Sequence, residues 1–341
     1  MYLPAEWHHQ AFVQLTWPHL QTDWAPILDE VYECYLNIAR EILLREPLVI
    51  VAQYPDEVHA QLSTLNTQQK YPIHIIQCDT NDTWARDHGF ITLLSDDDTQ
   101  AILYDYQFNG WGLKFPADLD NQINQHVYPQ LPLPAHHQYQ SRLNFVLEGG
   151  SIESDGQGTI LTTSSCLLAP NRNNLSKDQI EQQLIHDFCT HRVLWLHHGH
   201  LAGDDTDGHI DTLARLCPDN TIAYVQCTDP RDEHYEDLKC MEAELQAFST
   251  ADGLPYRLIP LPMPDAIYDG DERLPATYAN FLIINGAVLY PTYRQPEHDE
   301  QAGRQLEKAF PHYEIVGIDC SVLIRQHGSL HCCTMQYPAI N

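Results

Sequence analysis

The chain has 341 residues, with 47 Asp and Glu against 18 Lys and Arg, a formal charge of −29. Nucleic-acid recognition needs a basic face and gains much of its affinity from counterion release, so this balance excludes it; anionic membrane surfaces are disfavoured for the same reason. An apolar content of 43%, with 6 Trp, 18 Tyr and 9 Phe, excludes a disordered acidic tail. The charge reads first as solubility, with a small cationic partner as the sharper alternative.

The first clear element is a helix over 23–46. Asp23 is placed to cap it and Pro26 lies in its first turn, while Ile27, Val31, Tyr35, Ile38 and Ile42 recur at helical spacing. Pro47 ends it, and the wholly apolar Leu48-Val49-Ile50-Val51-Ala52 follows as a short strand. A helix over 56–65 precedes the strand at 73–76. Ser176 caps a helix ending near Phe188, followed by a strand at 193–196. Helices near 234–248 and 299–310 lead into strands at 256–259 and 314–318. Helix followed by short buried strand, several times over, indicates an α/β fold.

A second recurrence crosses the first. Short strands tied to polar or glycine-bearing segments occur at 84–94, 145–162, 208–216, 280–290 and 328–335, and Asp87, Glu148 and His209 follow one another at intervals of 61 residues. These loose units indicate a repeat architecture. No Ser/Gly linker or low-complexity run divides them, so one domain over 1–341 is expected.

The 10 Cys are scattered without a CxxC pair, which reads as free thiols in a reducing compartment. No signal-peptide pattern follows Met1 and no run approaches about 20 apolar residues, so a cytoplasmic protein without a membrane span is expected. His197-His198-Gly199-His200 lacks the spacing of a zinc site, and neither a dinucleotide fingerprint nor a phosphate-binding loop is present.

Four segments gather groups that do chemistry: Asp82-Thr83-Trp84-Ala85-Arg86-Asp87-His88-Gly89, Leu147-Glu148-Gly149-Gly150-Ser151, Asp204-Asp205-Thr206-Asp207-Gly208-His209-Ile210-Asp211, and His327-Gly328-Ser329-Leu330-His331-Cys332-Cys333. A cysteine nucleophile needs a partner that favours thiolate and a group that carries protons. Two residues apart, His209 and Asp211 would share a face if that segment were a strand. Singly, each residue has an ordinary structural reading as turn former, cap or packing residue. Carboxylates, imidazole and thiol all recurring beside glycine-linked strands are not explained that way.

In these residues the chain resembles the agmatine deiminase family, a peptidylarginine deiminase-like family of the guanidine-modifying (pentein) superfamily. The resemblance runs from Pro4-Ala5-Glu6-Trp7 and Thr16-Trp17-Pro18-His19 through Asn81–Asp87, Phe108-Asn109-Gly110-Trp111-Gly112 and Leu147–Ser151. It continues through Asp205–Asp211, Asn280-Phe281 and Asn285-Gly286 to His331-Cys332. It implies a five-bladed α/β propeller of ββαβ units with pseudo-fivefold symmetry and the active site at its centre. It implies further that Cys332 is the nucleophile, His209 the general acid/base, and Asp87 and Asp211 the carboxylates that hold the guanidinium. Glu148 would lie beside them, Trp84 would line the pocket, and Asp205 would meet the amine end of the substrate.

The implied reaction is hydrolysis of a small cationic guanidine, agmatine first, to N-carbamoylputrescine and ammonia through an amidino-cysteine, without metal or cofactor. Deimination of peptidyl-arginine or another guanidino compound, amidinotransfer, a thiol hydrolase of papain type and a non-catalytic guanidinium or polyamine binder are the competing readings, and a homo-oligomer is left open. The chain departs from the family at Gln326-His327-Gly328-Ser329, where a glycine run and Asn are usual. It also departs at Cys333, His88 and Phe90. Cys332 is preferred to Cys333, whose side chain would point the opposite way along a strand.

Overall fold

In the computed structural model, which describes residues 1–65, 70–133 and 136–340, all five residues of Leu48–Ala52 are buried. A run without polar alternation forms a stable strand only where both faces are covered. It lies in a sheet of order Thr334–Pro338, Gln10–Thr16, Leu48–Ala52, Ile73–Gln77, in which the first pair is antiparallel and the others parallel. The N-terminal strand therefore pairs with the C-terminal one, Val13 opposite Gln336 and Leu15 opposite Thr334.

Four further sheets repeat this arrangement: Ile91–Leu94 with Ala101–Gln107 and His137–Val146; Ile152–Ser154 with Thr159–Thr163 and Arg192–Leu196; Ala214–Cys217 with Thr221–Gln226 and Arg257–Pro262; and Leu282–Ile284 with Ala287–Thr292 and Glu314–Asp319. In each the first pair is antiparallel and the second parallel. Parallel neighbours need a crossover, and helices supply it. Leu28–Leu43, Ile123–Val127, Lys177–Phe188, Tyr235–Ala247 and Pro296–Ala309 each stand between the second and third strands of a sheet. A small hairpin, Tyr268–Asp269 with Glu272–Arg273, lies outside the scheme.

Ser176 caps its helix as expected, in a reciprocal box with Gln179. Asp23 does not cap. The chain enters its first helix through a 3-10 turn, Ala25–Ile27, after Trp24, with no side-chain cap. Pro26 brings no N–H to that turn, so one donor fewer needs a partner. The helix buries Val31, Tyr35, Ile38 and Ile42 of the stripe read from the sequence, while Ile27 falls in the 3-10 turn before it and is half-buried. Among the described residues no helix is long and apolar enough to cross a membrane.

Candidate active site

Each of the five sheets delivers polar residues from the segment that enters its antiparallel edge strand. Asp87 lies in the helical turn Ala85–His88 before Ile91–Leu94. Glu148 lies just before the turn Gly149–Ser151 and the strand Ile152–Ser154. His209 and Asp211 flank the start of the turn Ile210–Thr212 before Ala214–Cys217. Asn280 precedes Leu282–Ile284, and Cys332 precedes Thr334–Pro338. Asp211 is thus inside a 3-10 turn and His209 immediately before it, not on one face of a strand, contrary to expectation; the chain bends there and both side chains are buried. All six residues are buried.

Asp87 Oδ2 accepts the Trp111 indole N–H at 2.9 Å, and Oδ1 accepts the Gly150 N–H at 3.1 Å and stands 3.6 Å from His209 Nδ1. Asp211 Oδ2 is 2.7 Å from His331 Nδ1 and 3.9 Å from Cys332 Sγ. Asn280 Oδ1 accepts from the N–H groups of His331 and Cys332 at 2.9 and 3.3 Å, and lies 3.4 Å from Cys332 Sγ. Both ring nitrogens of His209 and Asp211 Oδ1 are buried and make no hydrogen bond within the protein. Buried polar atoms are nearly always paired, so three such atoms together mark a place for a polar ligand.

Glu148 is held by Arg172, whose Nε lies 2.9 and 3.0 Å from its two carboxylate oxygens. Arg172 also donates to Asp207 Oδ2 at 2.6 Å and to the Thr206 carbonyl at 2.8 Å, while Lys114 binds Asp207 Oδ1 at 2.7 Å and the Asp205 carbonyl at 2.6 Å. Asp207 is therefore committed to two cations. Asp205 keeps a part-exposed carboxylate at the mouth of the cleft, 3.8 Å from His327 Nδ1.

The cleft encloses about 440 Å³, solvent at its mouth included, and is lined by Trp84, Trp111 and Phe115 with Cys332 and Asp87 at one end and Asp23, Asp82 and Asp205 elsewhere on its wall. Asp82 orients Trp84, accepting its indole N–H at 3.0 Å. Gly328 packs against the same ring; a Cβ there would fall 2.2 Å from an indole carbon, so the departure from the family pattern around this residue retains the feature that Trp84 requires. Cys333 is fully buried and does not line the cleft, whereas Cys332 does. A larger cleft of about 620 Å³, against Glu6, Arg86 and Glu153, contains neither Cys332 nor Asp87. Convergence of reactive groups, not volume, identifies the site.

Burial and then the charges of Asp211 and Glu148 push the Asp87 carboxyl well above its usual range. Burial, followed by the same logic from Asp211 and Asp87, pushes the Cys332 thiol up. Burial brings His209 down to about 3, Arg172 and Lys114 adding to the effect while Asp211 and Asp207 oppose it. Asp211 behaves differently: burial alone would raise it, but the hydrogen bond and charge of His331, then His209 and Arg215, hold it below the usual carboxylate range. The site thus carries a neutral imidazole, a protonated thiol and more buried acid than it can ionise at once. A delocalised cation entering it would favour the ionised thiol and carboxylates while keeping the imidazole neutral.

Among the described residues two groups have the donor types of a metal site: Glu148, Cys166 and His209, and Glu6, Glu153 and His331. In the first, both Glu148 oxygens already engage Arg172; in the second, the Arg215 guanidinium occupies the centre, 2.7 Å from Glu6 and 2.5 Å from Glu153. Neither arrangement leaves a carboxylate free of an internal cation.

Asp87, Glu148, His209, Asp211 and Cys332 are brought together, Trp84 lines the cleft and Asp205 stands at its mouth. Arg172, Trp111, Asn280, His331, Asp82 and Asp23 belong to the site or its immediate support without having been singled out for those roles. Asn280 carried a signal, since it precedes its strand as the other site residues precede theirs. Arg172 carried none.

Residues 2–338 match the model of the Porphyromonas-type peptidyl-arginine deiminase family. A Porphyromonas gingivalis structure named provisionally as an arginine deiminase is 51% identical, covers 99% of this chain and 98% of its own, and superposes with a TM-score of 0.92. A C. jejuni agmatine deiminase, a Cys-to-Ser variant with substrate bound, is 36% identical over 99% and 96% of the two chains with a TM-score of 0.90. The agmatine deiminase of Pseudomonas syringae pv. tomato is 32% identical over 99% of this chain and 95% of its own. The chain belongs to the Porphyromonas-type peptidyl-arginine deiminase family and is a hydrolase of carbon–nitrogen bonds in amidines.

Proposed function

We propose that this protein deiminates agmatine: agmatine and water give N-carbamoylputrescine and ammonia, through an amidino group carried on Cys332. One observation carries the reading: Cys332 and Asp87 line one cleft with further carboxylates on its wall, and beside them stand Asp211, 3.9 Å from the thiol, and His209, 3.6 Å from Asp87 and with both ring nitrogens unpartnered.

The guanidinium sits between Asp87 and Asp211, whose oxygens suit its planar fork of N–H donors. Its charge favours the ionised forms of both acids: Asp87 releases its proton to solvent as the substrate binds, and the Cys332 proton passes to the neutral His209, which holds it for the leaving nitrogen. The thiolate attacks the guanidine carbon and forms the S–C bond. His209 delivers a proton to the departing nitrogen, the C–N bond breaks and ammonia leaves. Water, deprotonated by His209, then attacks the thiouronium carbon, the S–C bond breaks, and the ureido product departs with the thiolate restored. Glu148, tied to Arg172, sets the electrostatic background of His209. Asp205 and Asp23 meet the ammonium at the far end, where the carboxylate of free arginine would be repelled.

The five sheets, with one strand order and one site segment each, are read as blades about a pseudo-fivefold axis in a single domain, and the free thiols fit a cytoplasmic setting. Peptidyl-arginine is the second reading, favoured by the exposed Phe115 on the cleft wall and the exposed Leu113 two residues before it. Ammonia release from agmatine, free arginine and a blocked arginine peptide separates the readings. Agmatine is expected to lead in kcat/KM by at least about tenfold over either. A peptide substrate in the lead would replace it, and no release from any of the three would overturn the deiminase reading.

A further inference from the structure

The ring of His331, next in sequence to Cys332, is buried between two carboxylates. Its Nδ1 lies 2.7 Å from Asp211 Oδ2 and its Nε2 2.7 Å from Glu6 Oε2. Nδ1 faces an acceptor and so carries a proton toward Asp211, while Nε2 has both the Glu6 acceptor and the Arg215 Nη2 donor within reach. Arg215 Nη2 donates to the same Glu6 oxygen at 2.7 Å and lies 3.0 Å from the ring nitrogen, and Glu153 engages Arg215 from its far side at 2.5 Å. Arg86, buried nearby, adds positive charge without forming an ion pair of its own with Glu6. Glu6 has little freedom to swing, because its other oxygen accepts the Ile283 N–H at 2.8 Å.

We propose that His331 is a positioning residue for the deimination described above: it ties Asp211 to Glu6 of the N-terminal segment and holds the Asp211 carboxylate charged and in one orientation for the guanidinium. The bond from His331 uses Oδ2 and leaves Oδ1, the buried oxygen without a protein partner, for the substrate. Pinning the ring also pins the neighbouring nucleophile, since the His331 and Cys332 N–H groups share Asn280 Oδ1. The N-terminal segment, the Ala214–Cys217 sheet through Arg215 and the Thr334–Pro338 strand are thereby joined behind the reacting groups, on the side away from the cleft. Removing one buried partner leaves the other charge uncompensated, and Asp211 is the group that would take up a proton in response.

The test uses the full chain with His331→Gln and Glu6→Gln. Supporting groups of this kind cost roughly 10- to 100-fold in function when removed, and His331→Gln is expected to lower kcat/KM for agmatine by that amount, more through KM than through kcat. The acid limb of its kcat/KM profile is expected to move up by about one pH unit, the direction that follows when a hydrogen bond to the ionised carboxylate is lost. Glu6→Gln should move the limb in the same direction by less, and carries the test if His331→Gln fails to fold. Carboxyl-13C titration of substrate-free protein, with the Asp211 signal assigned through Asp211→Asn, should show Asp211 titrating higher in both variants. An unmoved Asp211 titration in a folded variant, or a lower melting temperature with an unmoved acid limb, would overturn the proposal. Because the proposal rests on the deiminase reading but the titration needs no substrate, failure of turnover in the wild type and failure of the His331 role are distinguishable.

Discussion

Gly150 stands so close to His209 that a Cβ at position 150 would lie 2.7 Å from His209 Nδ1 and 2.8 Å from Asp87 Oδ1. The position has an ordinary backbone conformation, so its glycine is required by space and not by a left-handed turn. Gly150→Ala should therefore displace the imidazole and the carboxylate together. Misplacement of about 1 Å costs on the order of 100-fold in rate, and a loss of that size is expected in kcat, with the fold retained by circular dichroism. A variant within threefold of wild type would show that these two groups need not hold their places.

Arg172 is buried beneath Glu148 and also binds Asp207. Arg172→Met leaves a buried carboxylate without its cation, which typically costs about 3–5 kcal/mol. Urea denaturation should show a loss of that order, partly restored in the double variant Arg172→Met/Glu148→Gln, because the orphaned charge is then gone. A double variant no more stable than the single one would mean that Arg172 acts by packing alone.

Acid should destabilise this protein in a way that can be assigned. His209 and His88 are each held at about 3 in the folded protein, first by burial, against an ordinary value of 6.5. Between those values the unfolded chain binds protons that the folded one refuses, so stability falls as pH drops from about 6.5 toward 3, by up to about 1.4 kcal/mol per unit for each group. Asp87 works in the opposite sense, since its raised folded value adds stability that is present in acid and lost as pH rises through it. Removal of one histidine isolates its share: in His209→Asn the dependence of unfolding free energy on pH between 6 and 4 should be shallower by about one proton. An unchanged slope would contradict the neutral, buried His209.

The two adjacent cysteines separate cleanly in the structure. Cys332 lines the cleft, and Cys333 is enclosed in the core. Cys332→Ser should abolish ammonia release while still binding a guanidine, whereas Cys333→Ala should keep turnover within about threefold and lose roughly 1–2 kcal/mol of stability, the cost of a small buried group. The reverse pattern would move the nucleophile by one residue.

Much of this was legible in the sequence because the signals are local. Leu48–Ala52 reads as a strand buried on both faces, the spacing of Val31, Tyr35, Ile38 and Ile42 reads as one helix face, and Ser176 with Gln179 reads as a cap. The recurrence of Asp87, Glu148 and His209 before short strands foreshadowed the five entry segments. What failed was local in appearance and tertiary in fact. Asp23 looks like a helix cap, but the helix begins later and the carboxylate lies on the cleft wall. His209 and Asp211 look like strand neighbours, but a 3-10 turn holds Asp211 and begins directly after His209. Arg172 sits in a loop 24 residues from Glu148 without any pattern, and only the folded chain shows that it neutralises that carboxylate. The bond between Glu6 and His331 joins residues 325 positions apart and is equally invisible along the chain.

The central claim is that Cys332 carries the amidino group between loss of ammonia and arrival of water. Acid quenching of the wild-type protein during turnover of saturating agmatine, followed by peptide mapping in the mass spectrometer, reads it directly. The account predicts an added amidino-aminobutyl group on the peptide containing Cys332, confined to that residue and absent from Cys332→Ser. Turnover with no adduct on any cysteine across the quench times, or an adduct on Cys333, would contradict it.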